Sequence, residues 1–173
     1  ILQLRHHEAI LELKEKIDKG PKDQIYDIDL TYITSRGNWY YTSWKGNEDK
    51  SGGIATNIGV HFFDMLQWIF GPFEGATVAI KTKDTNSGTL KFKQANVNWY
   101  LSINAENLPL DIKSKGQSTF RSLTIEDKEI EFSKGFTDLH TVSYQKIIEG
   151  KGYGLKDARN SIEIVSQIRN KEI

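Results

Sequence analysis

Residues 51–70 read Ser-Gly-Gly-Ile-Ala-Thr-Asn-Ile-Gly-Val-His-Phe-Phe-Asp-Met-Leu-Gln-Trp-Ile-Phe, and Gly71-Pro72 ends the stretch. Its small residues predict the opening of a helix that the apolar residues continue. Residues four apart share a face of an α-helix, so Asn57 and His61 should converge on one ligand. A histidine, with an unperturbed pKa of about 6.5, is suited to proton transfer. The stretch therefore indicates the edge of an active site.

His61 also has a purely structural interpretation. Most residues from 60 to 70 are large and apolar, so the helix could be buried almost all round, with His61 as a hydrogen-bonded core histidine. Asp64 could orient the imidazole, or it could be a partly exposed acid on the same helix. A single Asn-x-x-x-His pair is common in proteins, and the spacing alone leaves both interpretations open.

Composition limits the class of protein. The chain has 173 residues, enough for one domain with its own core. Its 23 basic and 23 acidic residues give a formal net charge of zero, so no positive field attracts nucleic acid or an anionic membrane. The absence of cysteine excludes disulfides and is compatible with a reducing compartment. We therefore expect a cytoplasmic protein that binds neither nucleic acid nor membrane.

The first residue and the glycine pattern suggest part of a larger enzyme. The chain begins with Ile1 and has neither a signal peptide nor an apolar run long enough to span a bilayer. No Gly-x-Gly-x-x-Gly turn follows a strand, so the dinucleotide-binding fingerprint is missing. We expect a truncated or processed part of a longer protein, folded as one domain over residues 1–173 and unable to bind NAD in the usual way.

Helical and strand periodicity follow one another along the chain. Apolar residues at helical spacing predict an amphipathic helix that begins at residue 8, and alternation predicts a strand over 26–35. Further strands are predicted at 76–83, 87–93, 96–104, 119–126 and 128–132, and further helices at 138–149 and 155–168. The predicted fold class is α+β, a large, mainly antiparallel, open-faced sheet with helices on one face.

The same periodicity gives the apolar positions of the last two helices. They are Val142, Ile147 and Ile148 in the penultimate helix, and Ile162, Val165 and Ile168 on one face of the last one. A sheet with helices on one face leaves its other face polar or used for association. Trp99, Phe92 and Leu101 are the candidates for that open face.

The segment 36–51 is predicted to be a long loop that holds the substrate, because loops of this length are often functional. Arg36 could bind a carboxylate or diphosphate through its planar guanidinium, or form a surface ion pair. Tyr40 and Trp44 could stack on a sugar or uracil ring, or anchor the loop. Lys50 could neutralise an anionic group, although exposed lysines commonly have no specific role.

The remaining candidates are few. Thr56, in the same helix opening as Asn57, completes the candidate substrate-binding residues. No metal site is expected, because the sequence has no His-Glu-x-x-His motif or compact histidine and carboxylate set. His140 is more simply explained by capping or packing than by ligand contact. A Gly-x-Ser-x-Gly nucleophile motif is absent, which disfavours acyl hydrolysis.

Longer motifs carry a family resemblance. The pattern Gly-Gly-x3-Asn-x3-His-x2-Asp, followed by Trp-Ile-Phe-Gly, resembles the signature of the C-terminal domain of the Gfo/Idh/MocA oxidoreductase family. The stretches Thr-Ser-Arg-Gly-Asn-Trp-Tyr at 34–40, Ser-Trp-Lys-Gly at 43–46 and Asp-Leu-His-Thr at 138–141 are similar to the branch that oxidises UDP-N-acetylglucosaminuronic acid. The similarity runs over nearly the whole chain.

This resemblance implies a fold, a cofactor and an assembly. The fold would be a glyceraldehyde-3-phosphate dehydrogenase-like C-terminal domain. NAD would be bound mainly by an N-terminal Rossmann domain outside this chain, and the isolated chain would be inactive. The open sheet face would form a homo-oligomer.

The resemblance also implies the chemistry, a hydride transfer from a sugar carbon to NAD. His61 would accept the hydroxyl proton, Asn57 would hold that hydroxyl, and a lysine of the N-terminal domain would polarise the developing carbonyl. Many family members carry aspartate at the position of Asn57. Because asparagine cannot ionise, more of the proton transfer would fall on His61 or on that lysine.

The substrate implied is a UDP-sugar. The expected reaction oxidises the 3-hydroxyl of UDP-N-acetylglucosaminuronic acid during the biosynthesis of bacterial surface polysaccharide. Two alternatives remain open: a family dehydrogenase for a free sugar or cyclitol, and a noncatalytic sugar-binding or assembly domain.

Overall fold

The computed structural model describes residues 2–130 and 138–171. Seven α-helices and six strands are described, together with short 3-10 turns. The helices are α1 (Glu8–Lys19), α2 (Asn38–Thr42), α3 (Glu48–Ser51), α4 (Val60–Phe70), α5 (Leu110–Ser114), α6 (Leu139–Ile148) and α7 (Leu155–Asn170). The strands are β1 (Tyr26–Thr34), β2 (Phe73–Lys81), β3 (Thr85–Phe92), β4 (Ala95–Ser102), β5 (Thr119–Ile125) and β6 (Lys128–Glu129). The end of the strand predicted at 128–132 lies outside the described residues.

The six strands form one sheet in the order β2-β3-β4-β1-β5-β6. β1 pairs in parallel with β4, and every other neighbouring pair is antiparallel. The predicted α+β fold with a mainly antiparallel sheet is therefore confirmed. The parallel pair arises because the chain leaves β1 through α2, α3 and α4 and returns to it only after β2 and β3, the kind of long crossover that parallel pairing requires.

The core lies between the sheet and one layer of helices. The ring of Phe63 on α4 meets the ring of Trp99 on β4 edge to face, with centroids 5.4 Å apart. Trp99, Phe92 and Leu101 are all buried in this core. Their predicted place on the open face is wrong, because the alternation of the strand turns their side chains toward the helices.

The opposite face of the sheet is polar. The amide of Asn98 on β4 donates a hydrogen bond of 2.9 Å to Asp29 on β1, and the hydroxyls of Thr77 and Thr89 lie 2.8 Å apart across β2 and β3. These short polar side chains make a shallow concave surface across the four adjacent strands. The face is thus polar, one of the two possibilities for an open sheet.

The helices lie close to their predicted positions in the sequence, but some apolar residues of the last two helices are exposed. In α1, the apolar residues at helical spacing, Ile10, Leu13 and Ile17, are buried, as an amphipathic helix requires. In α7, Val165 and Ile168 are buried. The prediction that Ile162 shares one face with Val165 and Ile168 is wrong, because the Ile162 side chain is 54% exposed and Ile164 is the third buried isoleucine or valine of the helix.

In α6 the predicted apolar face does not enter the core. Val142, Ile147 and Ile148 are exposed, and the buried residues of the helix are Leu139 and Ser143. The helix exists where the periodicity placed it, but its apolar positions point to solvent. No helix within 2–130 or 138–171 is long and apolar enough to cross a membrane.

Residues 36–51 do not form the predicted loop. α2, a 3-10 turn at Trp44–Gly46 and α3 follow one another through this segment. The Ser43 and Asn47 side chains accept hydrogen bonds from backbone N–H groups at the starts of the second and third turns. Such capping residues stabilise short helical turns that apolar periodicity cannot reveal.

Candidate active site

The opening of α4 is not a regular α-helix. Gly52 and Gly53 both have positive φ angles, 76° and 73°, and one turn of π-helix at Ala55–Gly59 precedes α4. A side chain at residue 52 would also lie within 2.5 Å of the Thr56 hydroxyl, so the turn requires glycine there. The predicted continuous α-helical opening is therefore wrong in detail. Single π-turns inside helices frequently occur at functional sites.

Asn57, in the middle of this turn, and His61, in the first turn of α4, line the same cavity of about 210 Å³. The Asn57 amide nitrogen donates a hydrogen bond of 3.2 Å to the carbonyl oxygen of Gly53, which leaves the amide oxygen for another donor. The cavity is lined by Gln3, Leu4, Tyr32, Arg36, Asn57, Ile58, His61, Phe62 and Arg121. The structure thus brings three of the predicted site residues together, Arg36, Asn57 and His61.

The environment of His61 lowers its pKa. Burial is the largest cause, since it disfavours the charged imidazolium, and the nearby His140 acts in the same direction. The carboxylate of Asp64 opposes them. A lowered pKa keeps His61 neutral at neutral pH, the form that can accept a proton.

Asp64 belongs to a buried ion pair. Its carboxylate oxygens accept hydrogen bonds from Nε and an Nη of Arg5, at 2.9 and 2.7 Å, and both residues are buried. Arg5 also donates to the carbonyl oxygen of Asp157 and lies over the ring of Tyr153. The pair joins the start of the chain to α4 and α7, and Asp64 is not the partly exposed acid that one interpretation offered.

Two arginine side chains, Arg36 and Arg121, line the cavity, and only Arg36 was predicted from the sequence. Arg36 follows β1, and its Nε is buried with no hydrogen-bond partner among the described residues. Arg121, on β5, was missed by the sequence analysis. Alternation places Arg121 on the same side of its strand as the buried Leu123 and Ile125, so a charged residue at an inward position was the available signal.

Gln3 and Arg5 were also missed. The side-chain oxygen of Gln3 is buried at the cavity wall and accepts no hydrogen bond among the described residues. Both residues lie in or next to a short 3-10 turn, Gln3–His6, that carries no apolar periodicity. Only the folded structure places this turn beside α4.

The other predicted substrate residues lie away from this cavity. Tyr40 is buried and is not part of the cavity wall. Its hydroxyl makes no hydrogen bond of good geometry among the described residues. Burial raises the pKa of Tyr40, against the opposing effects of Arg36 and Asn57. Trp44 and Lys50 are exposed, and the Thr56 hydroxyl donates to the carbonyl oxygen of Gly52 at 2.8 Å. Their roles in substrate binding stay predictions.

Within the part of the chain that the structure describes, no three histidine or carboxylate side chains gather as a group able to hold a metal ion. The side chains on the cavity wall are the groups that this chain contributes to the chemistry. They are a half-buried imidazole with a lowered pKa, a carboxamide and two guanidinium groups. This set can bind an anionic polyol and accept a proton from one of its hydroxyls.

The fold and this cavity define an oxidoreductase domain. Residues 14–108 match the model of the oxidoreductase family C-terminal alpha/beta domain, GFO_IDH_MocA_C. The chain belongs to the Gfo/Idh/MocA oxidoreductase family.

Solved structures narrow the comparison. The chain is 43% identical to the WlbA (WbpB) dehydrogenase from Thermus thermophilus in complex with NAD and alpha-ketoglutarate, with a TM-score of 0.94 over 100% of this chain and 55% of that one. The same enzyme in complex with NAD and UDP-GlcNAcA gives 42% identity and a TM-score of 0.93, with the same coverage. The chain thus spans about half the length of these enzymes.

More distant structures share the fold alone. The WlbA dehydrogenase from Bordetella pertussis is 20% identical, with a TM-score of 0.69 over 97% of this chain and 58% of that one. The myo-inositol dehydrogenase from Lactobacillus casei is 13% identical, with a TM-score of 0.69 over 99% of this chain and 59% of that one.

Proposed function

We propose that this chain is the substrate-binding domain of an NAD-dependent dehydrogenase that oxidises the 3-hydroxyl of UDP-N-acetylglucosaminuronic acid. The observation that carries the proposal is the convergence of His61, Asn57 and Arg36 on one cavity, in a chain 42% identical to a dehydrogenase solved with NAD and UDP-GlcNAcA. NAD, bound mainly by a domain outside this chain, accepts the hydride. The described residues contain no glycine-rich turn between a strand and a helix, which fits that division of roles.

Each side chain has a role at the reacting hydroxyl. His61 is half-buried on the cavity wall, and its lowered pKa favours the neutral imidazole, so it takes the hydroxyl proton as the hydride leaves. The amide oxygen of Asn57 accepts a hydrogen bond from a sugar hydroxyl, since its nitrogen is already held by Gly53. Arg36, with an unpartnered buried Nε, binds negative charge on the substrate.

The enzymatic test uses the full-length protein with NAD and UDP-N-acetylglucosaminuronic acid, and follows NADH formation. His61→Gln should lower kcat by roughly 10²- to 10⁴-fold, the usual range for a general base. Asn57→Ala should lower kcat/KM, while Asn170→Ala, at the exposed end of α7, is the matched control that should not. Binding of the UDP-sugar without turnover in the wild type would favour a noncatalytic sugar-binding domain. Turnover of a free sugar or cyclitol alone would refute the UDP-sugar assignment.

The same proposal includes an assembly and a cellular role. The enzyme acts in the cytoplasm, in the biosynthesis of bacterial surface polysaccharide, and forms a homo-oligomer through the open sheet face. The short side chains of that face, such as Thr77, Thr89 and Asn98, permit close contact between two sheets. Thr89→Arg should shift the full-length protein toward monomer in light scattering. Lys93→Arg, exposed just beyond β3, is the control.

A further inference from the structure

The hydroxyl of Tyr40 is a buried polar group that the proposed reaction does not use. Tyr40 lies on α2 and is 4% exposed, and its hydroxyl makes no hydrogen bond of good geometry among the described residues. Buried hydroxyls nearly always have a hydrogen-bond partner, and each exception calls for an explanation. A phenylalanine would pack in the same space without burying an unpaired polar atom. The hydroxyl therefore indicates a role beyond packing.

Two residues of the cavity wall act on this hydroxyl. Burial is the largest effect and raises the pKa of Tyr40, while the charge of Arg36 and a hydrogen-bonding contact from the side chain of Asn57 lower it. An N–H donor stabilises the phenolate, so an effect in this direction places the amide nitrogen of Asn57 toward the phenol oxygen. Tyr40 is not part of the cavity wall and thus lies behind Asn57, on the side away from the ligand.

The amide of Asn57 already has one partner on that side. Its nitrogen donates to the carbonyl oxygen of Gly53 at 3.2 Å, the long end of the normal range. Gly53 and Tyr40 also line one small cavity of about 30 Å³. A carboxamide carries two N–H groups, so the carbonyl of Gly53 and the phenol of Tyr40 can accept one each. With both N–H groups directed this way, the amide oxygen of Asn57 faces the substrate cavity.

Short-range hydrogen bonds fix the place of Tyr40. Its backbone N–H donates to the carbonyl oxygen of Gly37 at 2.9 Å, and its own carbonyl oxygen accepts from the hydroxyl of Ser43 at 2.8 Å. A β-carbon on Gly46 would lie only 2.7 Å from the same carbonyl oxygen, so the next turn of the chain packs directly against Tyr40. A side chain held in this way can orient another one, because its own position is set by the fold.

We infer that Tyr40 is a positioning residue, whose hydroxyl holds the Asn57 amide so that the amide oxygen accepts a hydrogen bond from the substrate hydroxyl. Such hydrogen bonds are often poorly aligned before the substrate binds and tighten in the complex. The inference rests on the proposed function. It gives Tyr40 a different role from the ring stacking predicted from the sequence.

The test is a double-mutant cycle in the full-length protein, with NAD and UDP-N-acetylglucosaminuronic acid as substrates and NADH formation as the readout. Tyr40→Phe removes only the hydroxyl and should lower kcat/KM roughly 2- to 10-fold, the usual effect of one neutral hydrogen bond. In the Asn57→Ala background there is no amide to position, so Tyr40→Phe should cause no further loss. Tyr41→Phe, 38% exposed on the same helix, is the matched control and should leave kcat/KM unchanged.

A structural role for Tyr40 would give a different result. Thermal unfolding of the four proteins shows whether each is folded, and Tyr40→Phe should melt close to the wild type because the ring remains. An equal loss of kcat/KM in the wild-type and Asn57→Ala backgrounds would show that Tyr40 acts independently of Asn57, and would overturn the inference. An unchanged kcat/KM in Tyr40→Phe would overturn it as well.

The two proposals fail differently. If NADH forms but the cycle shows no coupling, the reaction stands and the positioning role is wrong. If the UDP-sugar binds and no NADH forms, the same cycle is measured on its Kd by calorimetry. Coupling in Kd then supports the positioning of Asn57 while the proposed reaction is wrong, and additive effects refute both. If the wild type neither binds nor oxidises the UDP-sugar, both proposals are wrong.

Discussion

Two arginines lie beside α4 in opposite situations. Arg5 is buried and fully engaged, with two hydrogen bonds to Asp64, a third to a backbone carbonyl and the ring of Tyr153 against it. Arg36 lies on the cavity wall with a buried Nε that has no partner among the described residues. Buried polar groups are nearly always satisfied, so a satisfied one reports on stability and an unsatisfied one points to a ligand. The two arginines therefore predict opposite consequences of substitution, a loss of stability at Arg5 and a loss of ligand binding at Arg36.

The largest expected effect is the loss of stability on breaking the buried ion pair between Arg5 and Asp64. Arg5→Met leaves the carboxylate of Asp64 buried without its partner, and should lower the free energy of unfolding by about 3–5 kcal/mol. That is a large fraction of the roughly 5–15 kcal/mol that stabilises a typical domain. Urea unfolding followed by circular dichroism measures the loss.

The double variant Arg5→Met/Asp64→Leu controls for side-chain volume. Replacing both charges should recover much of the lost stability, because no buried charge is left unpaired. A single-variant loss below about 1 kcal/mol would mean that water reaches the pair, as at an exposed salt bridge.

Substitution of Arg36, on the cavity wall, should affect activity and leave stability nearly unchanged, the opposite of substitution of Arg5. Arg36→Met removes a guanidinium with an unpartnered Nε, so thermal stability should hardly change, while kcat/KM for the UDP-sugar falls roughly 10- to 100-fold. Thermal unfolding and steady-state kinetics on the same preparation separate the two effects. A fall in melting temperature as large as that of Arg5→Met would end the distinction between the two arginines.

The contrast between these arginines also explains what the sequence could predict. The spacing of Asn57 and His61, together with the apolar run after them, located the helix and two of the cavity residues. Arg36 was found because it stands among aromatic and glycine residues in a segment of functional length. These signals are local, and local signals survive in a single sequence.

What the sequence could not predict depends on distant pairing. Arg5 meets Asp64 across 59 residues, and Arg121 meets Tyr32 only through the register of β5 on β1. α6 shows the same limit, since Val142, Ile147 and Ile148 follow a helical period but face solvent. Periodicity predicts that a helix forms. It does not reveal which element covers it.

The third prediction concerns pH and compares His61 with an ordinary histidine. Because its pKa is lowered, mainly by burial, His61 stays neutral below the usual value of about 6.5. Its contribution to stability is therefore present above pH 6.5 and is lost as pH falls through its folded-state pKa. Burial lowers the pKa of His6 as well, so in the wild type both histidines make the protein less stable as the pH falls below 6.5.

The difference between wild type and His61→Gln isolates the cavity histidine. The free energy of unfolding of the wild type should fall more steeply on acidification below pH 6.5 than that of the variant, as measured by urea unfolding across pH. The acid limb of kcat/KM for the full-length enzyme should also lie below pH 6.5. An acid limb above pH 6.5 would show a histidine stabilised in its charged form.

The smallest effect links the two sides of α4. Asp64 lies three residues after His61, and its carboxylate raises the pKa of His61 against the larger effect of burial. Asp64→Asn should therefore lower the pKa of His61 further, as measured by NMR titration of the imidazole protons within the pH range in which the variant remains folded. Asp157→Asn is the matched control, because Asp157 also faces Arg5, at 4.0 Å, but is not among the groups that shift the pKa of His61.

If only the Asp64 variant shifts the titration of His61, the buried ion pair affects the cavity histidine through its charge and also stabilises the fold. If neither shifts it, the engaged and the open sides of the helix are independent, and the ion pair is purely structural.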